Sequence, residues 1–405
     1  IVSNQIQYNK IKEIIYKKKL KLKIFSFEKL DISNLEYINI SDLLLDLSHI
    51  DKSIPKINIK RNDPACIIYT SGTQGNPKGV VLSHGGILNN CEGAFDLLKP
   101  IITNQTRFLT WLPLSHSYEH TVQFVQISIA AKVFYAESID KLIKNMNECS
   151  PQVMTAVPRF YQNLYQKINS TFKKAKGFKK FLIYKMLNLG IKKIRGESLS
   201  YTDKVFDLTL ELIIRNKIKK QFGGHLKTFV SGGGALDKDV GEFLNAIGLP
   251  TLQGYGLTEA SPVISCNPTN DIRVDTVGIP LKDIEVKIAE DGEILVKGEN
   301  VMLGYWNKKE ETEKVIINGW LHTGDIGEID PNDGYLKITD RKKDIIVSAG
   351  GDNISPAKIE NMITNEPEID QCLVYGDKKN YLVALIVPNK DFLNEKEKIN
   401  KVIEK

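Results

Sequence analysis

Between residues 64 and 256 the chain repeats one pattern, a short apolar run of strand length that ends in a turn or a Ser/Thr/Gly loop. The runs are PACIIYTSG (64–72), RFLTWLPLS (107–115), PQVMTAVPR (151–159), LKTFVSGGG (226–234) and LPTLQGYG (249–256). Strands that are apolar almost throughout are covered on both faces. The pattern therefore predicts a buried, mostly parallel sheet with its loops gathered at one end. Helical spacing between the runs, as from Asp237 to Ile247, makes the class α/β.

The texture changes over residues 275–340. TVGIPLKDIEVKIAEDGEILVKG alternates apolar and polar positions around a turn at Asp291–Gly292, and a second turn, Asp333–Gly334, separates GEID from YLKIT. Both read as hairpins of a small antiparallel or barrel-like unit. After Arg341 a mixed segment predicts a helix over Pro356–Thr364 and strands at CLVYG and LVALIVP. These shifts place a domain boundary near 341–343: a large domain over 1–340 and a small α/β domain over 341–405. Residues 1–60 are rich in Lys, Ile, Leu and Asn, and IKEIIYKKKLKLKIFSF predicts a helix running into a strand, an αβ unit entered part-way.

Composition narrows the field only a little. Hydrophobic residues are 42% and charged residues 26%, which is globular and excludes a disordered or fibrous chain. The net charge of +6 permits weak attraction to phosphates or an anionic membrane surface and does not by itself predict nucleic-acid binding. Five scattered cysteines (66, 91, 149, 266 and 372) form no CxxC and read as reduced thiols of a cytosol. No apolar stretch approaches the roughly 18 residues of a spanning helix. Residues 171–196 carry nine basic residues and no acid, interleaved with Phe172, Phe178, Phe181, Leu182, Met186 and Leu189. Such a segment is either a surface helix packed on its own domain, the favoured reading, or a peripheral contact with an anionic membrane.

The sharpest chemical feature is YTSGTQGNPKG, Tyr69 to Gly79, directly after the apolar ACII. Backbone amides of a Gly-rich turn can converge on phosphate oxygens, Ser and Thr hydroxyls add donors, and a lysine adds charge. A Walker A loop needs GxxxxGK[ST]. Here Lys78 precedes Gly79, and Gly72 and Gly75 are wrongly spaced, so a P-loop NTPase is excluded.

TSGTQGNPKG resembles the phosphate loop of the adenylate-forming superfamily, with Gln74 where Thr is usual, a change that backbone contacts should tolerate. Further stretches follow in that family's order: LPLSHSYEH (112–120), SGGGAL (231–236), QGYGLTE (253–259), GWLHTGDIG (319–327) and DRKKDIIVSAGGDNISP (340–356). The resemblance spans residues 63 to 390. AVPRFYQNLY and DRKKDIIVSAG bring it closest to the long-chain fatty-acyl-CoA synthetases.

The resemblance implies a fold of layered, mostly parallel sheets with a small antiparallel subdomain and a mobile C-terminal domain. It implies a ligase that joins a fatty acid to coenzyme A through acyl-AMP, using ATP and Mg²⁺. Thr70, Ser71, Gly72, Thr73, Gly75 and Lys78 would hold the β- and γ-phosphates, and Thr258 would donate to the α-phosphate. Glu259 is the expected Mg²⁺ ligand, since that ion takes one or two carboxylates plus substrate phosphates. Gly232, Gly233, Gly234, Tyr255 and Gly256 would border adenine, with Asp325 and Arg341 at the ribose. His116 and Trp111 would border the acyl carboxylate. Lys343 falls at the interdomain hinge, and Gly350 and Gly351 would line the pantetheine channel after rotation.

Alone, several of these residues have ordinary readings. Thr258–Glu259 is a common helix start, Tyr255 a core aromatic, Asp325 a turn aspartate and Arg341 a partner for Asp340 or Asp344. The resemblance also implies a catalytic lysine near the end of the C-terminal domain, and nothing after Pro388 matches it. The chain thus reads as a piece lacking both termini and is expected to adenylate poorly alone, since losing one transition-state donor costs on the order of 10²–10³ in rate. Two further readings stay open: an adenylate-former acting on a carrier protein, an aryl acid or an amino acid, and a non-catalytic nucleotide-binding fragment. The joint presence of Thr258, Glu259, Asp325 and Arg341 argues against the last.

Overall fold

The structure is a computed structural model that describes residues 1–32, 37–40, 42, 57–70, 76–350, 353–366 and 368–390. It divides into two compact units, Ile1–Ile59 and Lys60–Lys405. In the first, Asn4 caps the helix Gln5–Lys17 by accepting from the Gln7 amide. Strand β1 (Ile24–Ser26) then pairs in parallel with β2 (Tyr37–Asn39) over a small core of Val2, Tyr8, Ile15, Ile24 and Leu30. The helix-then-strand order follows the switch of period in the sequence.

The second unit opens with β3 (Pro64–Thr70) and β4 (Lys78–Ser83), which pair antiparallel with Thr70 opposite Lys78. Here the structure departs from the sequence reading of a buried parallel strand. A connection this short can only turn the chain back on itself, whereas a parallel partner needs a crossover of a dozen residues or more. Most of β3 is correspondingly half-buried or exposed, and of its side chains only Ile68 is fully covered.

The other four apolar runs form the predicted parallel sheet. Strands β5 (Arg107–Thr110), β6 (Lys132–Tyr135), β7 (Val153–Ala156), β8 (Thr228–Ser231) and β9 (Thr251–Gly256) lie in the order β6-β5-β7-β8-β9, all parallel. β10 (Val263–Cys266) and β11 (Ile279–Pro280) extend the β9 edge antiparallel. One face carries Met154, Ala156 and Phe229 into the largest core, with Tyr161, Met186 and Leu244 from flanking helices. Gly190 is required there, because a Cβ would lie 2.6 Å from the Ala246 backbone where two helices cross.

The alternating segment folds as predicted. β12 (Ile284–Ile288) and β13 (Glu293–Gly298) meet across the Asp291–Gly292 turn, with Gly292 at φ +83°. β14 (Gly304–Tyr305) returns to pair with β4. β15 (Ile316–Ile317), β16 (Trp320–Ile329) and β17 (Leu336–Arg341) complete the antiparallel sheet. Beyond it come the short pair β18 (Ile346–Val347) and β19 (Asn353–Ile354), the helix Pro356–Thr364, and the hairpin of β20 (Ile369–Tyr375) and β21 (Val383–Pro388). Arg159 Nη2 reaches Asp370 at 3.2 Å and Gln166 Nε2 reaches the Thr364 carbonyl at 3.4 Å, so the helix Pro158–Lys173 contacts this C-terminal segment. Among the described residues no helix is long and apolar enough to cross a membrane.

Candidate active site

The β3–β4 hairpin holds Thr70 and Lys78 at its mouth. Ser71, Gly72, Thr73, Gln74 and Gly75 lie outside the described residues. Lys78 Nζ sits 4.7 Å from the centroid of the Tyr305 ring and ion-pairs with Glu311, which also holds Lys308 at 3.0 Å. Those two lysines keep the Glu311 carboxyl below its usual range. Tyr305 reaches this place because β14 pairs with β4. Its hydroxyl donates to Glu259 Oε1 at 2.8 Å. Burial and then the Glu259 charge raise the Tyr305 phenol far above its ordinary pKa, so it stays a donor.

Thr258 and Glu259 form a short 3₁₀ turn just beyond the end of β9, as strand-end chemistry in an open α/β sheet leads one to expect. Thr258 Oγ1 lies 3.0 Å from Ser117 Oγ, the first residue of the helix Ser117–Ser128. His116 is the N-cap of that helix: its Nδ1 accepts from the Tyr118 amide at 3.3 Å and its ring is exposed. The Trp111 indole donates to the Thr155 carbonyl at 2.8 Å.

Tyr118 packs under the glycine loop, donating to the Val230 carbonyl at 3.0 Å. A Cβ on Gly232 would lie 2.8 Å from the Tyr118 ring, and Gly233 sits at φ +78°. Both positions need glycine, one for space and one for conformation. Gly234 abuts Pro158, and a Cβ on Gly256 would run into the Pro262 carbonyl.

A third group lies where β9 meets β16 and β17. The Tyr255 hydroxyl donates to Asp325 Oδ2 at 2.7 Å, and Arg341 Nε donates to Oδ1 at 3.2 Å. Asp325 and Arg341 are cross-strand partners. Burial raises the Asp325 pKa, against the pull of the tyrosine and the arginine. Next in sequence, Lys342 bridges Asp291 at 2.6 Å and Glu293 at 3.0 Å. Lys343 is exposed, and the Gly350 amide donates to Ser348 Oγ. Gly351 lies outside the described residues.

The structure thus ties Lys78 to Glu259 through Tyr305, Thr258 to Ser117, and Tyr255 and Arg341 to Asp325. Ser117, Tyr305 and Glu311 were not singled out from sequence. Tyr305 stands 46 residues from its partner Glu259, and no local pattern marks it. Glu119 was also missed. It is fully buried in the helix after His116, where its Oε2 accepts from Thr155 Oγ1 at 2.8 Å, and Gln126 donates to Thr110 Oγ1 beside it. Burial pushes the Glu119 carboxyl up to about 7, against the pull of the Thr155 and Thr110 hydroxyls. No three His, Cys, Asp or Glu among the described residues are grouped to hold a metal on their own.

Comparison with known proteins places the chain in a family. The family described as AMP-binding enzyme matches residues 7–306, and its companion, AMP-binding enzyme C-terminal domain, matches residues 343–405. The chain is 33% identical over 333 residues to the long-chain-fatty-acid–CoA ligase FadD15 of Mycobacterium tuberculosis, covering 81% of this chain and 55% of that protein. It is 36% identical over 353 residues to the peroxisomal long chain acyl-CoA synthetase 6 of Arabidopsis thaliana, covering 82% and 49%. The chain therefore spans about half the length of these relatives. The fold is shared with the o-succinylbenzoate coenzyme A synthetase of Bacillus subtilis, solved with ATP and magnesium, at a TM-score of 0.65 and 23% identity over 94% of this chain and 72% of that one. With one family match covering most of its length, the chain belongs to the AMP-binding enzyme family.

Proposed function

We propose that the protein activates a medium- to long-chain fatty acid with ATP and passes the acyl group to coenzyme A. In the first step a carboxylate oxygen attacks the α-phosphorus and pyrophosphate leaves. In the second the coenzyme A thiolate attacks the acyl carbonyl and AMP leaves. The observation that carries this reading is the convergence of Lys78 and Glu259 on one phenol, Tyr305, at the end of the parallel sheet. An anion approaching a polyanion needs neutralising charge and fixed alignment, and this group supplies both kinds of residue.

The donor set fits magnesium. Tyr305 engages one oxygen of the half-buried Glu259, and hard carboxylate oxygen together with substrate phosphates is what Mg²⁺ selects. When bound, Mg²⁺ would neutralise charge on the phosphate oxygens. Lys78 would pair with phosphate in place of Glu311, Thr70 and Thr258 would donate hydroxyls, and Ser117 would fix the Thr258 rotamer. The glycines at 232–234 would admit the flat base beside Tyr255. Asp325, oriented by Tyr255 and Arg341, would accept from the ribose hydroxyls. His116 and Trp111 would border the acyl carboxylate. The domain boundary is proposed at 341–343, with Lys343 as hinge, and the gap between the two family matches supports it. After rotation Gly350 and Gly351 would flank the pantetheine arm.

The test is pyrophosphate exchange into ATP with a panel of acids, together with equilibrium binding of ATP with and without Mg²⁺. Exchange that depends on a fatty acid, with thioester formed only when coenzyme A is present, is the expected result. Exchange driven by an amino or aryl acid instead, or ATP binding with no exchange under any acid, would overturn it.

A further inference from the structure

We propose that the exposed faces of the helices Gly177–Ile194 and Tyr201–Leu210, with the continuing turn Glu211–Arg215, form a docking surface for an anionic lipid bilayer. The proposal stands apart from the ligase reading. One face of each helix is already used, since Ile183, Met186, Leu189 and Leu210 are buried in their own domain. The opposite faces are apolar as well. Phe178, Phe181 and Tyr184 recur at helical spacing on the first, and Val205, Leu208 and Leu212 on the second. Phe178 is 73% exposed and Leu208 and Leu212 are each 65% exposed. The Phe181 ring meets Phe206 at 6.5 Å, and Lys185 pairs with Asp203 at 2.7 Å, so the two stripes adjoin.

Charge selects the occupant. Ion pairs take up Lys185, Lys193 and Arg195, and leave Lys173, Lys174, Lys176, Lys179 and Lys180 toward solvent at one end of the patch. No acid lies between residues 171 and 196 to offset them. A second copy docked by this same face would bring the lysines no free acid, because Asp203, Asp207 and Glu211, the acids of these elements, are already paired. A surface of anionic headgroups over an acyl layer instead satisfies both the lysines and the aromatic rings.

The test is co-sedimentation of the full chain with vesicles of phosphatidylcholine and phosphatidylserine, against vesicles of phosphatidylcholine alone. Binding to the anionic vesicles that weakens with salt is expected. Replacing Lys176, Lys179 and Lys180 together by Gln should lower the partition coefficient about a hundredfold, at about fivefold per lysine. The pair Phe178→Ser and Leu208→Ser should lower it at least tenfold without shifting the thermal midpoint, because both side chains are exposed. Failure to bind anionic vesicles, equal binding to both vesicles, or variants that bind like the parent would overturn the proposal. So would loss of a concentration-dependent dimer in the same variants, which would assign the face to a second copy.

Discussion

Two groups of polar side chains follow the two ends of the Ser117–Thr258 hydrogen bond, and they differ chiefly in access to water. The outer group, beyond Thr258, is Glu259, Tyr305, Lys78, Glu311 and Lys308, half-buried and threaded by alternating charge. The inner group, beyond Ser117, is Glu119 with Thr155, Thr110 and Gln126, fully buried and without a cation. In the outer group desolvation is partial, and Lys78 and Lys308 hold the Glu311 carboxyl below its usual range. In the inner group neutral hydroxyls cannot repay the loss of hydration, and the Glu119 carboxyl is pushed up to about 7. The same residue type is proposed for phosphate chemistry in one place and anchors a helix to a strand in the other.

The largest expected effect tests the outer group. Glu259→Gln should lower fatty-acid-dependent pyrophosphate exchange by about 10²–10³ with little change in thermal stability. Exchange within tenfold of the parent would remove Glu259 from the chemistry.

The inner group should answer in stability. Between the ordinary carboxyl pKa and about 7 the folded state keeps a proton on Glu119 that the unfolded chain has lost. Stability should therefore be full below the unfolded pKa and fall as pH rises through that window, by on the order of 3 kcal/mol. Urea unfolding at pH 5 and pH 8 measures the fall, and Glu119→Gln should flatten it. An unchanged slope in that variant would place the titration elsewhere.

Thr155→Val removes the donor to Glu119 while keeping its shape. A loss of about 1–3 kcal/mol is expected, larger at pH 8 than at pH 5, because the charged carboxylate needs that hydroxyl more. Tyr305→Phe is the mildest change. It deletes one hydrogen bond to a half-buried carboxylate and should cost about 1 kcal/mol in stability, with up to tenfold weaker binding of ATP with Mg²⁺ measured by calorimetry. If Tyr305→Phe instead matched the loss in Glu259→Gln, the phenol itself would be part of the reacting machinery.

Much of the architecture was legible from local signals. The parallel runs, the Asp291–Gly292 and Asp333–Gly334 turns, the helix at 356–364 and the final hairpin each follow from periodicity or turn chemistry. By apolar content PACIIYT is indistinguishable from the parallel strands. Its pairing depends on the seven residues before Lys78, too few for a crossover. In the candidate site, Glu259 and Lys78 stood in recognisable stretches. Tyr305, Glu311 and Ser117 did not, because they meet those residues only through strand pairing and helix placement.

The sequence by itself determined which residue types are available and the order of elements, since periodicity, turn glycines and strand-end loops are local properties of the chain. Tertiary structure decided what each charged group is worth. Glu119 and Glu259 are the same residue, and local hydropathy does not tell how deeply each is buried. Burial raises the carboxyl of one to about 7, while the other is half-exposed, with the Tyr305 phenol on one oxygen and Lys78 over that phenol's ring. Dielectric surroundings are made by distant parts of the chain, and only folding brings them together.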